Sequence, residues 1–259
     1  MRAAAALLTL LTLTGCAAAA IPLVAGVGIA ATNKRPPKPN QAEPAVSPNT
    51  LALAEPAVVD PAMPAQFSAL IDHVRSRATL WREGAPINSL VLDSRQTVLN
   101  PVAIDCQRRE PVVIIDLDQN GKDPLPAYRN DVIAAPGWPN TLVAIRAEKV
   151  GILWVTDQIS ADADAIRALL ARTGLDATGT DSIATRDSPE DRKQAIRQRL
   201  ASQYCILAVV GDTRSDADEA YAYLRSPETP LPIDSNWGEG WFLLPPPLVA
   251  TLDLTKQVD

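Results

Sequence analysis

The chain has 259 residues, 47% of them hydrophobic and 21% charged, and carries a formal net charge of −6. That length can bury one sizeable core with extensions, and with aromatics at only 4% the filling falls to alanine, valine, leucine and isoleucine. The acidic balance argues against a nucleic-acid polymer as partner, but not against a small phosphate ester, because a bound cation can reverse the local field.

The first segment reads as targeting rather than fold. Arg2 supplies a positive start, Ala3 to Leu13 is apolar or small with threonines, and Leu13-Thr14-Gly15-Cys16 follows, a tetrapeptide similar to the bacterial lipobox. It implies that residues 1–16 are a lipoprotein signal peptide and that cleavage leaves Cys16 as the lipidated N-terminus. An ordinary signal peptide, or an uncleaved anchor through Ala31, is the alternative; Ala17 to Thr32 is short for a comfortable span. Asn33 to Pro64 holds eight prolines, so it cannot donate enough backbone hydrogen bonds for a helix or sheet. Residues 17–64 are thus expected to be an apolar and then proline-rich tether carrying a domain over residues 65–259. The protein would face the periplasm in a bacterial cell envelope, anchored through lipid, with the outer membrane favoured.

Within the domain, Phe67, Leu70, Ile71, Val74, Ala78 and Trp81 recur at helical spacing, and Gly84-Ala85-Pro86 stops that helix. A strand over Ser89 to Leu92 is expected next. Pro111-Val112-Val113-Ile114-Ile115 is a β-branched apolar run, so a buried strand. A helix with proline in its first turn follows over Pro139 to Glu148, then a second buried strand over Gly151 to Val155. Ser160 caps a helix through Arg172, stopped by Gly174. Ser188-Pro189-Glu190-Asp191 opens a helix through Ser202, Cys205 to Val210 is a third buried strand, Asp216 to Leu224 a helix, and Trp241 to Leu244 a fourth strand. Apolar strands alternating with amphipathic helices predict an α/β fold, a three-layer sandwich around a mostly parallel central sheet.

In such sheets ligands bind at the carboxyl ends of the strands. There stand Asp116-Leu117-Asp118, then Thr156-Asp157, then Gly211-Asp212-Thr213-Arg214-Ser215-Asp216, with Lys193 on the helix before the third strand. One carboxylate of the first group can attack phosphorus while the other protonates the leaving oxygen and then activates water. Asp116, Asp212 and Asp216 repel one another unless a hard cation sits among them, and magnesium prefers oxygen ligands and bridges carboxylates to phosphate. The Thr156 hydroxyl and the Lys193 ammonium would hold the remaining phosphate oxygens. The bland alternatives are a strand-end turn for the first pair, helix caps for Asp212 and Asp216, an ordinary strand end for Thr156 and an exposed helix position for Lys193.

The run VVIIDLD, then ILWVTD, then a lysine, then AVVGDTRSD resembles the four ordered motifs of the haloacid dehalogenase superfamily over about residues 110–225. Pro136-Gly137-Trp138 and the stretch Trp237 to Pro245, taken with the lipobox, are similar to the class C bacterial lipoprotein acid phosphatases. The resemblance implies a magnesium-dependent phosphatase acting on a small phosphomonoester. Asp116 would be nucleophile and metal ligand. Asp118 would be general acid and base, with its carbonyl on the metal. Thr156 would bind phosphate, Lys193 would neutralise charge, and Asp212 and Asp216 would complete the metal site.

Gln119-Asn120-Gly121, Asp157-Gln158 and Pro245-Pro246-Pro247 depart from the family's pattern, which opens a second reading: a binding or structural module with impaired catalysis. Lys193 is the one lysine between Thr156 and Asp212, and Arg186 or Arg192 could take its role. Residues 119–135 leave room for only a small or minimal cap. Trp138 and Tyr128 could stack on a nucleobase or pack in core and rim; His73, the single histidine, is a helix position away from the motifs. The family's strand order makes the strands after Cys106 and at Cys205 neighbours, which would let these two cysteines form a disulfide at the end opposite the site.

Overall fold

The structure, a computed structural model, describes residues 64–93, 98–106, 108–119, 123–124 and 129–251. The expectations for residues 1–63, including lipidation at Cys16 and the tether, lie outside the described residues, as does Tyr128. Among the described residues no helix is long and apolar enough to cross a membrane.

Helix α1 (Ala65–Arg82) buries Phe67, Leu70, Ile71, Val74 and Ala78, the face its spacing predicts. Strands β1 (Asn88–Leu92) and β2 (Ala103–Asp105) form an antiparallel ladder. Strand β3 (Pro111–Asp116) is buried along its whole length. A two-residue ladder joins β4 (Asp118–Gln119) to β5 (Asp123–Pro124), and β6 (Val132–Ala134) precedes α2 (Trp138–Ala147). Strand β7 (Gly151–Ile159), helix α3 (Ala163–Arg172) and strand β8 (Ser182–Arg186) follow, then α4 (Lys193–Gln203), β9 (Cys205–Gly211), β10 (Trp241–Leu243) and β11 (Leu248–Ala250). Strand β11 pairs antiparallel with β6.

The central sheet is parallel throughout, in the order β10-β9-β3-β7-β8. Period-two alternation sends successive side chains to opposite faces. Val113, Ile115, Ile152 and Trp154 meet α1, α2 and α3 on one side, while Val112, Ile114, Leu153 and Val155 meet Ile196, Leu200 and Ala201 of α4 on the other. The expected three layers are present. Strand order reverses between β3 and β9, both fully buried, and a parallel sheet places its ligand crevice at such a switch point.

Several elements differ from expectation for local reasons. The helix predicted from Ser188 starts at Lys193 instead, because Arg192 is extended (φ −104°, ψ 143°) and the Asp191 carboxylate caps the N–H groups of Asp187 and Ser188 as a turn. The helix predicted over 216–224 is two 3-10 turns, Arg214–Asp216 and Glu219–Tyr223, the second capped by Asp218 through the N–H of Ala220. Between Asp118 and α2 the described residues hold the β4–β5 ladder and β6. Trp138 is a core residue, not a stacking platform: it is buried, meets Phe67 edge-on at 5.5 Å, and donates its indole N–H to Pro245 O at 2.9 Å. Cys106 and Cys205 are disulfide-bonded at the start of β9, the end of the sheet away from Asp116.

Candidate active site

Each acidic group owes its position to the strand that ends beneath it. Strand β3 delivers Asp116 at its last residue; Leu117 turns into the core, so Asp118, two residues on, faces the same way as Asp116. Both aspartates are buried, and the Asp118 N–H donates to Asp116 Oδ1 at 2.8 Å. On β7 the pairing with β8 slips register between Val155 and Ile159. That irregularity frees Thr156 and Asp157 to turn toward the first pair: the Thr156 hydroxyl donates to Asp118 Oδ1 and the Asp157 N–H to Asp118 Oδ2, each at 2.7 Å.

Strand β9 ends at Gly211, and the turn after it holds Asp212 and Asp216. A Cβ on Gly211 would lie 2.3 Å from the Cβ of Asp216, so glycine is what lets the turn fold back over the strand. Asp216 uses Oδ2 as a cap, accepting from the Thr213 N–H and hydroxyl at 2.8 Å each, and hydrogen-bonds Asp116. Asp216 thus caps its own turn while facing Asp116 and Lys193. Asp212 sits between Gly211 and Thr213 with one carboxyl oxygen shielded from solvent.

Lys193, the first residue of α4, ties these segments together. Its ammonium donates to Asp116 Oδ1 and Oδ2 at 2.9 and 2.6 Å and lies 2.6 Å from Asp118 Oδ2, 3.8 Å from Asp216 and 3.9 Å from Asp157. The two arginines considered for this place are otherwise engaged. Arg192 pairs with Glu219 at 2.7 Å, and Arg186 donates to the carbonyl oxygens of Asp157 and Pro189. Arg186 thus pins the backbone at the rim.

The electrostatics follow from burial and crowding. Burial pushes the Asp116 carboxyl well above the ordinary carboxylate range; Lys193 pulls it back, while Asp216 and Asp118 push it further. For Asp216 burial also raises, but the hydrogen bond to Asp116, the Lys193 charge and the Thr213 donors outweigh it, leaving the group below its usual value. The two carboxyl groups are therefore pushed in opposite directions by their shared surroundings. Burial alone would lower Lys193, yet Asp116, Asp118 and Asp216 hold it above the ordinary lysine range and fully charged. Burial raises Asp157.

Arg197 is the participant missed in the sequence. It lies one helical turn beyond Lys193, is fully buried, and donates to Gln194 Oε1 at 2.6 Å and to Ser215 O, in the Asp212–Asp216 turn, at 3.2 Å. Gln194 in turn donates to the buried Asp218 at 3.2 Å. A signal existed: with Ile196, Leu200 and Ala201 fixing the buried face of α4, Arg197 falls on a core-facing position.

Among the described residues no group of three or more His, Cys, Asp or Glu side chains is arranged as a metal cage; the Lys193 ammonium stands between the carboxylates instead. Concavity does not pick out this chemistry. A cleft of about 280 Å³ lies between α4 and the β1–β2 ladder and takes in Gln194 and Asp218 of the network, whereas the recess beside Asp118 and Thr156 is about 10 Å³.

No family model and no curated protein matches this chain. Among solved structures it is similar to the class C acid phosphatase from Bacillus anthracis, with 19% identity over 71% of this chain and 80% of that chain and a TM-score of 0.43. It is similar also to that enzyme with tungstate bound, at 18% identity over 70% and 78%, again with a TM-score of 0.43.

Proposed function

We propose that this chain is a magnesium-dependent phosphomonoesterase acting on small phosphate monoesters, nucleotides among them, through an aspartyl-phosphate on Asp116. The observation that carries the reading is the meeting of Asp116, Asp118, Asp216 and Lys193, from three distant segments, at the switch point of a parallel sheet. Buried carboxyl groups crowded together repel one another when charged, and a hard divalent cation would offset that repulsion. The all-oxygen donor set suits magnesium. The carboxylates of Asp116, Asp212 and Asp216 with the Asp118 carbonyl would hold it, and when bound it would neutralise phosphate oxygens and carboxylates together.

The protein's own groups account for the rest. Asp116 attacks phosphorus as the bond to the ester oxygen breaks, and Asp118 delivers a proton to that departing oxygen. Asp118 then takes a proton from the water whose oxygen attacks the same phosphorus, releasing phosphate and restoring the Asp116 carboxylate. Lys193, already placed between the two, screens Asp116 from the approaching phosphoryl charge. The Thr156 hydroxyl and Asp157 N–H orient Asp118 in the structure; a phosphate oxygen would draw the hydroxyl away. The test is phosphate release from an aryl phosphate with and without magnesium. Turnover should require the ion and vanish in Asp116→Asn; a folded, magnesium-bound protein inert on every monoester would end the hydrolase reading.

One observation favours the runner-up, a binding module without efficient turnover: Lys193 is closed on both Asp116 and Asp118, and Thr156 is committed to Asp118. It would show magnesium or phosphate binding by calorimetry without hydrolysis. Lipid anchoring at Cys16 is part of the proposal. It rests on the apolar run and lipobox-like tetrapeptide, and Cys16→Ser should move the protein from the membrane to the soluble fraction.

A further inference from the structure

We infer that Arg214 is a positioning residue that sets Asp212 and Asp216 against Asp116 by clamping the turn between them to an aromatic cluster on its far side; for the metal these aspartates would share, it rests on the phosphatase reading.

The turn after β9 has two faces. Inward, Asp216 reaches Asp116 and Lys193. Outward, the Arg214 side chain leaves the site. It pairs with Asp234 Oδ1 at 2.5 Å, donates to Pro227 O at 2.8 Å, and lays its guanidinium carbon 4.1 Å from the centre of the Tyr221 ring and 5.9 Å from that of Trp237. A planar cation between a carboxylate and aromatic faces is held in both position and orientation, which an ammonium in its place would not match.

The cluster that receives Arg214 is itself fixed. Tyr221 donates to Asp234 at 2.5 Å and accepts from the Trp237 indole at 3.0 Å. Burial and the bond to Asp234 push the phenol up to about 12, so it stays a donor. The other oxygen of Asp234 accepts the Leu231 N–H at 2.9 Å. Trp237 meets Trp241 at 5.5 Å, and Trp241 belongs to β10, paired in register with β9. The outer end of the clamp is therefore anchored to the same sheet that carries Asp116. Arg214 and Asp216 are two residues apart in one 3-10 turn, so displacement of the first carries the second with it. The turn's other holds are Asp216's own cap on Thr213 and Arg197 beneath Ser215.

The test is calorimetric titration of the full chain with magnesium, paired with phosphatase assays over a range of magnesium concentrations. Arg214→Met keeps the bulk and loses charge and fork; Arg214→Lys keeps the charge; Asp234→Asn weakens the clamp from its other end. Arg214→Met should bind magnesium about tenfold more weakly, with Arg214→Lys and Asp234→Asn between it and the parent. Its lost kcat/KM should return as magnesium is raised, with substrate KM at saturating metal unchanged; a loosened fold would not be rescued by metal in this way. Parent-like magnesium affinity in both Arg214→Met and Asp234→Asn would overturn the inference while leaving the metal reading intact. A parent that binds no magnesium would overturn both.

Discussion

Asp116 is buried beside Asp216, and burial with two neighbouring carboxylates drives its pKa well up. The sign of its effect on stability follows. A group whose folded pKa lies above its unfolded value contributes stability that is fully present below the unfolded pKa and lost as pH rises through the folded one. In the metal-free protein the contribution of Asp116 should thus shrink as pH rises from the ordinary carboxylate range upward. Asp116→Asn should flatten that slope and raise the neutral-pH melting temperature by a few degrees, since about 1 kcal/mol corresponds to roughly 2–4 °C at this size. Lys193 also lies 2.6 Å from Asp118, so the variant should not strand its charge. Activity should fall by at least about 10³-fold, as for loss of a nucleophile. Thermal melts of metal-free protein across pH, beside aryl phosphate assays, check both; a variant that melts lower than the parent at neutral pH would contradict the account. Gly211 supplies the second residue-level prediction. An alanine there must displace Asp216, whose Cβ would be 2.3 Å away. Gly211→Ala should cost about 1–3 kcal/mol from overpacking. It should also lower kcat/KM by about 10²-fold, the scale of a 1 Å misplacement. Denaturant melts and steady-state kinetics would show whether the activity loss exceeds the stability loss.

Helix α1 and strand β9 meet through the single histidine. The pairing of β9 with β3 shifts register after Val112, which faces Ile206, while Val113 faces Ala208; Leu207 is the extra residue of a bulge. His73 donates a ring N–H to Leu207 O at 2.9 Å, and its ring meets Phe242 at 5.5 Å. Burial lowers its pKa below the ordinary 6.5, partly offset by that bond, with Arg77 lowering it further and Glu239 raising it. A base depressed in this way contributes stability that is present above its unfolded pKa and lost as pH falls from there toward the folded value. His73→Leu leaves the Leu207 carbonyl short of a donor, so it should be about 1–3 kcal/mol less stable than the parent at pH near 7.5. The gap should narrow toward pH 5, because only the parent pays for its ring there. A constant difference across that range, in chemical melts, would mean the ring is not titrating. The same strand marks the limit of what was legible beforehand. Val112 to Ile115 and Cys205 to Val210 announce themselves because strands buried on both faces are continuous apolar runs. Strand β8 was missed because Ser182, Ile183, Thr185 and Arg186 sit at a half-buried edge with no such run. The short partners β6 and β11 are set by pairing between segments more than a hundred residues apart, which no local pattern encodes. The meeting of Asp116, Asp118, Thr156 and Asp216 was legible because the residues that follow parallel strands gather along one rim of the sheet. Arg197 was overlooked because its core-facing place shows only once Ile196, Leu200 and Ala201 are taken together as the buried face of α4.

Over the whole molecule, the site and the covalent staple occupy opposite ends of one pair of strands. The disulfide joins Cys106 to Cys205 across 99 residues of sequence, enclosing β3, β7, β8 and α4. Closing so long a loop restricts the unfolded chain, and removing a native disulfide of this kind costs about 2–5 kcal/mol. Both cysteines are buried in the same apolar cluster as α1 and Leu207, so the reduced thiols would remain packed as small hydrophobes. The carboxylates at the other end are held by Lys193, Thr156 and Thr213, with Arg197 donating to the Ser215 carbonyl of the same turn, all at the end of the sheet away from the bridge. The double variant Cys106→Ser, Cys205→Ser should therefore melt lower and unfold at less denaturant, yet keep the parent's magnesium requirement and kcat/KM at a temperature where it is folded. Reductant should lower the parent's stability toward that of the double variant and leave the variant unchanged. Loss of activity in a demonstrably folded double variant would mean that the register of β3 against β9, and not the loop entropy alone, depends on the bridge, because a slip there would carry Asp116 away from the turn that holds Asp212 and Asp216.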